Sequence, residues 1–205
     1  MSDTRVQSIV IVGGGTSGWM SASALAKVLG PTYSITLVES EEIGTVGVGE
    51  ATIPMIKLFN QALELDEADF IRNTKGTFKL GIEFVNWGQV GDSYIHGFGK
   101  IGQDLGTVAF HHYWLKARQL GKAGHMDDYS ICTAAGRANK FMPALRDRPN
   151  SPLADLGYAY HFDAGLYAKY LRAYSEKRGV KRIEGKVKAV HQRAEDGFVT
   201  SIELE

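Results

Sequence analysis

The first forty residues alternate between short apolar runs and a helical pattern of apolar positions. Ser8–Val12 is apolar, rich in β-branched residues and followed by glycines, which is typical of a buried parallel strand. Ser17–Leu29 carries apolar residues at helical spacing and runs into a Gly-Pro stop signal, so it predicts a helix. Ser34–Val38 predicts a second strand, which ends at Glu39. A strand, a glycine-rich turn, a helix and a strand in this order predict a βαβ unit.

The rest of the chain predicts further helices and strands of an α/β protein. Helices are predicted over Pro54–Leu65, from Asp66 onward, over Phe110–Leu120, and from a cap at Asp163 to Arg178. Strands are predicted over Thr77–Trp87, Val180–Gln192 and Phe198–Leu204, the last two joined by a turn at Asp196-Gly197. The side chains expected to face inward from the last helix are Leu166, Tyr170, Leu171 and Tyr174.

Composition and charge exclude several classes of protein. The 205 residues include 23 lysines and arginines and 23 aspartates and glutamates, so the formal net charge is +0. This balance argues against a general binder of nucleic acid or of a membrane surface, since such proteins carry a basic excess. No apolar run approaches the roughly 20 residues of a membrane span, and the first residues lack the apolar stretch of a signal peptide. The cytoplasm is therefore the predicted compartment.

Cysteine and histidine usage predicts neither a disulfide nor a metal site. Cys132 is the single cysteine, so no internal disulfide can form, and a buried packing role in a reducing compartment is expected. His111 and His112 are adjacent, and on a helix their side chains would point about 100° apart. No cysteine or carboxylate spacing completes a metal site around them.

The turn after the first strand fits a dinucleotide-binding fingerprint. The segment Gly13–Gly18 reads G-x-G-x-x-G, lies between a predicted strand and a predicted helix, and is followed by Glu39 at the next strand end. Gly13 would permit the tight turn, Gly15 would let a pyrophosphate approach the backbone, and Gly18 would let the helix pack on the sheet. Glu39 would accept hydrogen bonds from ribose hydroxyls and would repel a 2′-phosphate, which counts against NADP. The candidate cofactor residues in this unit are Gly13, Gly15, Thr16, Ser17, Gly18 and Glu39.

A second glycine-rich stretch follows the Glu39 strand and ends where the next helix begins. Residues Gly44–Pro54 alternate glycines with small residues, and so expose backbone amides that suit a flat ring or a phosphate. An ordinary loop is the alternative at this stage. The candidate cofactor residues in this stretch are Gly49, Glu50 and Ala51.

These two motifs together resemble the flavin-dependent tryptophan halogenases. The resemblance rests on Val10–Met20 and on Gly47–Pro54, where Trp19 and the Gly-Glu-Ala-Thr-Ile-Pro sequence are more specific than the glycines. Phe78–Gly81 and Tyr160–Ala164 are also similar, and the similarity spans essentially the whole chain. It implies a Rossmann-like FAD-binding fold, with a parallel sheet and a β-meander.

The resemblance also implies a reaction and roles for particular residues. In this family, FAD reduced by a separate reductase reacts with oxygen and with chloride or bromide, and hypohalous acid reaches a lysine beside an indole. Lys79 matches that lysine, although the alternating pattern around it alone favours a solvated strand face. His96 and Phe98 match aromatic positions that sandwich the indole, and Gly97 stands where tryptophan-specific members more often have proline. Val187 matches a position whose backbone pairs with adenine, although its pattern is equally that of a plain strand valine.

Some of the family's features have no counterpart in this chain. The Trp-x-Trp-x-Ile-Pro signature is missing, and the catalytic glutamate and the halide-binding residues would lie beyond position 205. Residues 1–205 are therefore expected to be the N-terminal part of a single FAD-binding halogenase-like domain, incomplete at its C-terminus. The substrate would be tryptophan or a related indole, and a homodimer is an expected assembly. The alternatives are another FAD-dependent monooxygenase, such as a hydroxylase, and a non-catalytic flavin-binding fragment.

Overall fold

The structure, a computed structural model, describes residues 6–43 and 49–205 of the chain. Gly44 to Val48, which include the first part of the second glycine-rich stretch, lie outside the described residues. The chain forms two compact units. Unit 1 contains residues 1–50, 60–76 and 162–205, and unit 2 contains residues 51–59 and 77–161.

The elements follow one another in a mixed order of helices and strands. The helices are α1 (Thr16–Leu29), α2 (Met55–Ala62), α3 (Glu67–Thr74), α4 (Phe110–Gln119), α5 (Ile131–Arg137) and α6 (Ala164–Glu176). The first five strands are β1 (Ser8–Val12), β2 (Ser34–Glu39), β3 (Gly49–Ala51), β4 (Thr77–Lys79) and β5 (Gly81–Val85). The other strands are β6 (Ser93–Gly97), β7 (Ala159–Asp163), β8 (Lys181–Glu184), β9 (Val187–Gln192) and β10 (Val199–Leu204). Short 3₁₀ turns occupy Gly30–Thr32, Met126–Tyr129 and Pro152–Asp155.

Unit 1 is built on a three-stranded parallel sheet in the order β1-β2-β8. The predicted βαβ unit is confirmed, since β1 and β2 pair in parallel with α1 between them. The central strand β2 buries Ile35, Leu37 and Val38. The edge strand β1 is less buried than its apolar sequence predicts, because Val10 and Val12 are 57% and 56% exposed. Strands β9 and β10 form the predicted antiparallel hairpin.

Helices α1 and α6 pack closely through small side chains. Ser23 and Ser175 are both buried and join their hydroxyl groups at 2.8 Å. The expected inward face of α6 is confirmed at Leu171, which is fully buried, whereas Leu166, Tyr170 and Tyr174 are half-buried. Small residues allow two helices to approach, so the face with Ala168 and Ser175 turns inward and the tyrosines lie beside it.

The fingerprint turn shows why two of its glycines are needed. Gly13 has a φ of +110°, which side-chain-bearing residues rarely adopt. A Cβ on Gly18 would overlap the carbonyl oxygen of Gly13. The third glycine therefore lets the first turn of α1 lie directly against the end of β1.

Two predicted strands are each divided in the structure. The Thr77–Trp87 segment becomes β4, which pairs antiparallel with β7, and β5, which pairs antiparallel with β6. The Val180–Gln192 segment becomes β8, parallel to β2, and β9, antiparallel to β10. The second break falls at Gly185, where a Cβ would lie 2.9 Å from Leu204 Cδ1. Alternation of residue types reports which positions share a face, and it does not report a change of partner strand.

The helices of residues 6–43 and 49–205 include none with the length and apolar character needed to cross a membrane.

The two glycines of the fingerprint are expected to respond differently to an added methyl group. Gly18→Ala should lower the free energy of unfolding by about 1–3 kcal/mol or more, because its Cβ overlaps backbone. Gly15→Ala should cost about 1 kcal/mol at most, since no described atom lies within 4 Å of its Cβ position and only the cap preference changes. Urea unfolding of both variants measures this, and equal losses would contradict it.

Candidate functional site

The first candidate site is a cavity in unit 1 at the carboxyl ends of the parallel strands. Its volume is about 430 Å³. Its lining includes Gly13, Gly14, Gly15, Trp19, Glu39, Lys169, Arg172, Gly185 and Val187. Ligands of open parallel sheets bind in the crevice outside the carboxyl ends of the strands, so the cavity lies where the fold predicts a ligand.

The start of α1 lies beside this cavity. The helix begins at Thr16, after Gly15 in an extended conformation, so its first amide groups have no acceptor within the helix. Such groups favour an anion at the helix N-terminus. The Thr16 hydroxyl donates to Ala164 O at 3.2 Å, which fixes the first turn against α6. Ser17 is exposed in the same turn.

The Glu39 carboxylate is held in place by protein donors. Arg182 Nε donates to Oε1 at 2.5 Å, and Trp19 Nε1 donates to Oε2 at 3.3 Å. Arg172 forms a further ion pair with Oε1 at 3.6 Å. The carboxylate lies against Gly14, where any Cβ would overlap Oε2. Gly14 is therefore required by the position of Glu39, a reason that the fingerprint alone did not supply.

Arg182 connects Glu39 to other carboxylates and was not predicted from the sequence. Its guanidinium also bonds Glu184 and, at 3.0 Å, Glu41. The hydrogen bond to Glu39 raises the pKa of the Arg182 guanidinium, so its charge is permanent at any ordinary pH. The register of β2 and β8, which pairs Leu37 with Arg182, brings the guanidinium beside the end of β2. Because this pairing joins residues far apart in sequence, no local signal revealed it.

The second candidate site surrounds Lys79 in unit 2. Lys79 is only 7% exposed, so the solvated strand face favoured by the alternating pattern is wrong. Its Nζ donates to the carbonyl oxygen of Thr52 at 2.9 Å and lies 5.6 Å from the ring centroid of Phe98. Burial lowers the pKa of Lys79. Burial, followed by the positive charge of Lys79, also lowers the pKa of His161. The site therefore contains a buried amine near an aromatic ring.

The two residues proposed to sandwich an aromatic substrate have different surroundings. Phe98 is buried near Lys79, and its amide donates to Leu80 O at 2.7 Å. His96 is exposed and lines a cavity of about 540 Å³. The described lining of this cavity includes Tyr94, His96, Ile101, His125, Met126 and Asp127, and it does not include Phe98.

Gly97, between these residues, packs against α5, a helix that was not predicted. A Cβ on Gly97 would lie 2.7 Å from Ser130 Oγ and 2.8 Å from Thr133 Oγ1. Thr133 Oγ1 is buried and finds no hydrogen-bond partner within the described residues. The space that a side chain at position 97 would need is therefore taken by the first turn of α5.

The other candidate residues lie on separate elements. Val187 begins β9 and lines the first cavity together with Gly13, Gly15 and Glu39. Gly49, Glu50 and Ala51 form β3, which pairs with β7. No group of three or more metal-ligating side chains occurs in the part of the chain that the structure describes.

Comparison with sequences gives one family and several relatives. A family model described as tryptophan halogenase matches residues 8–205. The chain is 35% identical to the tryptophan 7-halogenase RebH of Lentzea aerocolonigenes, over 97% of this chain and 39% of that protein. It is also 35% identical to the tryptophan 6-halogenase SttH of Streptomyces toxytricini, over 91% of this chain and 39% of that protein. The chain thus spans about two fifths of the length of these relatives.

Comparison with solved structures gives the same fold at higher identity. Xcc4156, a flavin-dependent halogenase from Xanthomonas campestris, matches with a TM-score of 0.89 and 47% identity, over 98% of this chain and 39% of that one. BrvH, a flavin-dependent halogenase from Brevundimonas sp. BAL3, matches with a TM-score of 0.89 and 45% identity, over 99% of this chain and 40% of that one. The expected Rossmann-like fold of the flavin-dependent halogenases is confirmed.

The lowered pKa of Lys79 predicts a specific pH dependence of stability. Below the folded-state pKa, both the folded and the unfolded chain carry the proton, and the folded state bears the cost of a buried charge. Between that pKa and 10.5, the unfolded chain binds more protons, so stability rises with pH. The free energy of unfolding of the wild type should therefore rise relative to that of Lys79→Met between pH 7 and pH 10. If urea unfolding gave parallel pH profiles for the wild type and Lys79→Met, the pKa of Lys79 would not be lowered in the folded protein.

Proposed function

Because the chain belongs to the tryptophan halogenase family, we propose that it serves FAD-dependent halogenation of an electron-rich aromatic ring. The proposed substrate is tryptophan or a related indole, and the co-substrates are oxygen and chloride or bromide. A separate reductase would supply reduced FAD by diffusion. The observation that carries the proposal is Lys79, a buried amine held by a backbone carbonyl beside Phe98.

The residues of unit 1 fit the ADP half of FAD. Apart from its two neighbours in the chain, no described residue has an atom within 4 Å of a Cβ position on Gly15, which leaves room for a pyrophosphate beside the start of α1. Glu39 lines the same cavity and would accept hydrogen bonds from the ribose hydroxyls. The backbone of Val187 would pair with adenine. Thr16, Ser17 and Gly18 would complete the turn, and Gly49, Glu50 and Ala51 are proposed to contact the flavin end.

Lys79 would act on hypohalous acid, which bound reduced FAD supplies from oxygen and halide. An N–H group of Lys79 can donate a hydrogen bond to the oxygen of hypohalous acid and make its halogen more electrophilic. Alternatively, the neutral amine can accept the halogen, with hydroxide leaving and taking up a proton to form water. In either case the aromatic ring attacks the halogen and then loses a proton. Burial of Lys79 supports both routes, because it excludes water and lowers the pKa of the amine.

Loss of the lysine should abolish halogenation without affecting FAD binding. We expect Lys79→Ala to lower the rate of indole bromination by about 100-fold or more, the size of a typical general-acid contribution. The assay uses the full-length protein, supplies reduced FAD, oxygen and bromide, and measures brominated product by mass spectrometry. Lys122→Ala, which removes an exposed lysine of the same unit, is the matched control. Normal product formation by Lys79→Ala would overturn the assignment, and a hydroxylated product from the wild type would support a hydroxylase instead.

Loss of the Glu39 charge should weaken FAD binding. Glu39→Gln keeps the shape of the side chain but weakens its charge-assisted hydrogen bonds, so we expect the Kd for FAD to rise by about tenfold. Glu184→Gln is the matched control, because Glu184 also bonds Arg182 but is not among the residues that line the cavity in the described chain. Fluorescence titration measures both affinities. If both substitutions raised the Kd for FAD equally, the effect would come from their shared partner Arg182 and not from a contact of Glu39 with the ribose.

A further inference from the structure

We infer that Thr52 is the positioning residue for Lys79: its carbonyl oxygen fixes the amine, and its hydroxyl fixes that carbonyl against β7. The inference rests on the proposed function of Lys79 and goes further, because it assigns a role to the Thr52 hydroxyl, which acts on Lys79 only through the Thr52 carbonyl group. Every residue in the argument belongs to unit 2.

Thr52 is attached to Tyr160 by three hydrogen bonds. The Thr52 amide donates to Tyr160 O at 3.0 Å, and the Thr52 hydroxyl donates to the same oxygen at 2.9 Å. The Tyr160 amide donates to Thr52 Oγ1 at 3.2 Å. The hydroxyl thus uses its one proton and one lone pair on a single backbone residue. A side chain held in this way fixes the orientation of its own peptide unit.

The strand that holds Thr52 is also the strand that pairs with Lys79. In the register of β4 and β7, Phe78 lies opposite Tyr160 and Lys79 lies opposite Ala159. The Lys79 backbone and its acceptor are therefore both attached to neighbouring residues of β7. The Lys79 backbone pairs with β7, β7 binds Thr52, and the Thr52 carbonyl binds Nζ. The amine is therefore held at both ends of its side chain and has little freedom to move.

A backbone carbonyl can orient Lys79 in either protonation state. It can only accept hydrogen bonds, so it orients the amine whether Lys79 is protonated or neutral, since both forms carry N–H groups. It has no net charge, so it orients the amine without adding a charge to the site. The Lys79 amine keeps the N–H groups that do not bond Thr52, and in its neutral form it also keeps its lone pair. These are available to a reactant.

Substitutions at Thr52 can separate the hydroxyl from the carbonyl. Thr52→Val keeps the β-branched shape and the carbonyl but removes both hydrogen bonds made through Oγ1. Thr52→Ser keeps the hydroxyl and should therefore keep the activity that Thr52→Val loses. Thr107→Val, in an exposed loop of the same unit, controls for the loss of a threonine hydroxyl as such.

The first experiment measures steady-state bromination of indole together with oxidation of reduced FAD. We expect Thr52→Val to lower kcat for brominated indole by about 10- to 100-fold, the effect of misplacing a reactive group by about 1 Å. The KM for indole, the Kd for FAD and the melting temperature should change little. Bromination per FAD oxidised should fall, because hypobromous acid escapes from an amine that is out of place. Thr52→Ser and Thr107→Val should remain within about twofold of the wild type.

A second measurement does not depend on halogenation. Brief acetylation with acetic anhydride, read at Lys79 by peptide mass spectrometry, should be faster in Thr52→Val than in the wild type and in Thr52→Ser. A full-length wild type that brominates nothing would overturn the proposed function, while faster acetylation of Thr52→Val would still support the positioning role. The inference would be overturned if Thr52→Val brominated as much indole per FAD oxidised as the wild type and if its Lys79 were acetylated at the wild-type rate. A matching rise in the Kd for FAD would instead assign Thr52 to cofactor binding.

Discussion

An amine removed from water needs a fixed acceptor, and Lys79 finds one in the carbonyl oxygen of Thr52, 2.9 Å away. The arrangement of unit 2 around β7 serves this contact, because β7 pairs with the strand of Lys79 and also binds Thr52. Burial lowers the pKa of the amine, and the carbonyl orients it without adding a charge. A buried, hydrogen-bonded amine is what the proposed action of Lys79 on an electrophilic halogen would use.

In unit 1, protein hydrogen bonds likewise fix the orientation of a charged group, the Glu39 carboxylate. Arg182, Trp19 and Arg172 hold Glu39 at the end of β2, and Gly14 leaves room for it. An acceptor whose orientation is set by the protein loses less conformational freedom when a ribose binds. In the proposed cofactor site, the Glu39 carboxylate would accept hydrogen bonds from a ribose with a free 2′-hydroxyl and would repel a 2′-phosphate.

The sequence predicted the parts of the fold that have local signals. The βαβ unit and the cap at Asp163 were found because a glycine turn and a capping side chain act over a few residues. The division of the Thr77–Trp87 strand was missed, because a change of partner strand depends on distant residues. The burial of Lys79 ran against its alternating pattern, and only the family resemblance indicated it. The contacts of Glu39 with Trp19 and Arg182 likewise arise from packing and strand register, which no local pattern encodes.

The burial and fixed orientation of the Lys79 amine can both be measured through its ¹⁵N side-chain NMR signal. The signal can be assigned by its absence in Lys79→Met and followed from pH 6 to pH 11. We expect a titration midpoint below the ordinary value of 10.5 and slow exchange of the N–H protons, because Nζ is buried and bonded to Thr52. A midpoint at 10.5 with rapid exchange would describe a solvated lysine and would show that Lys79 is neither buried nor held.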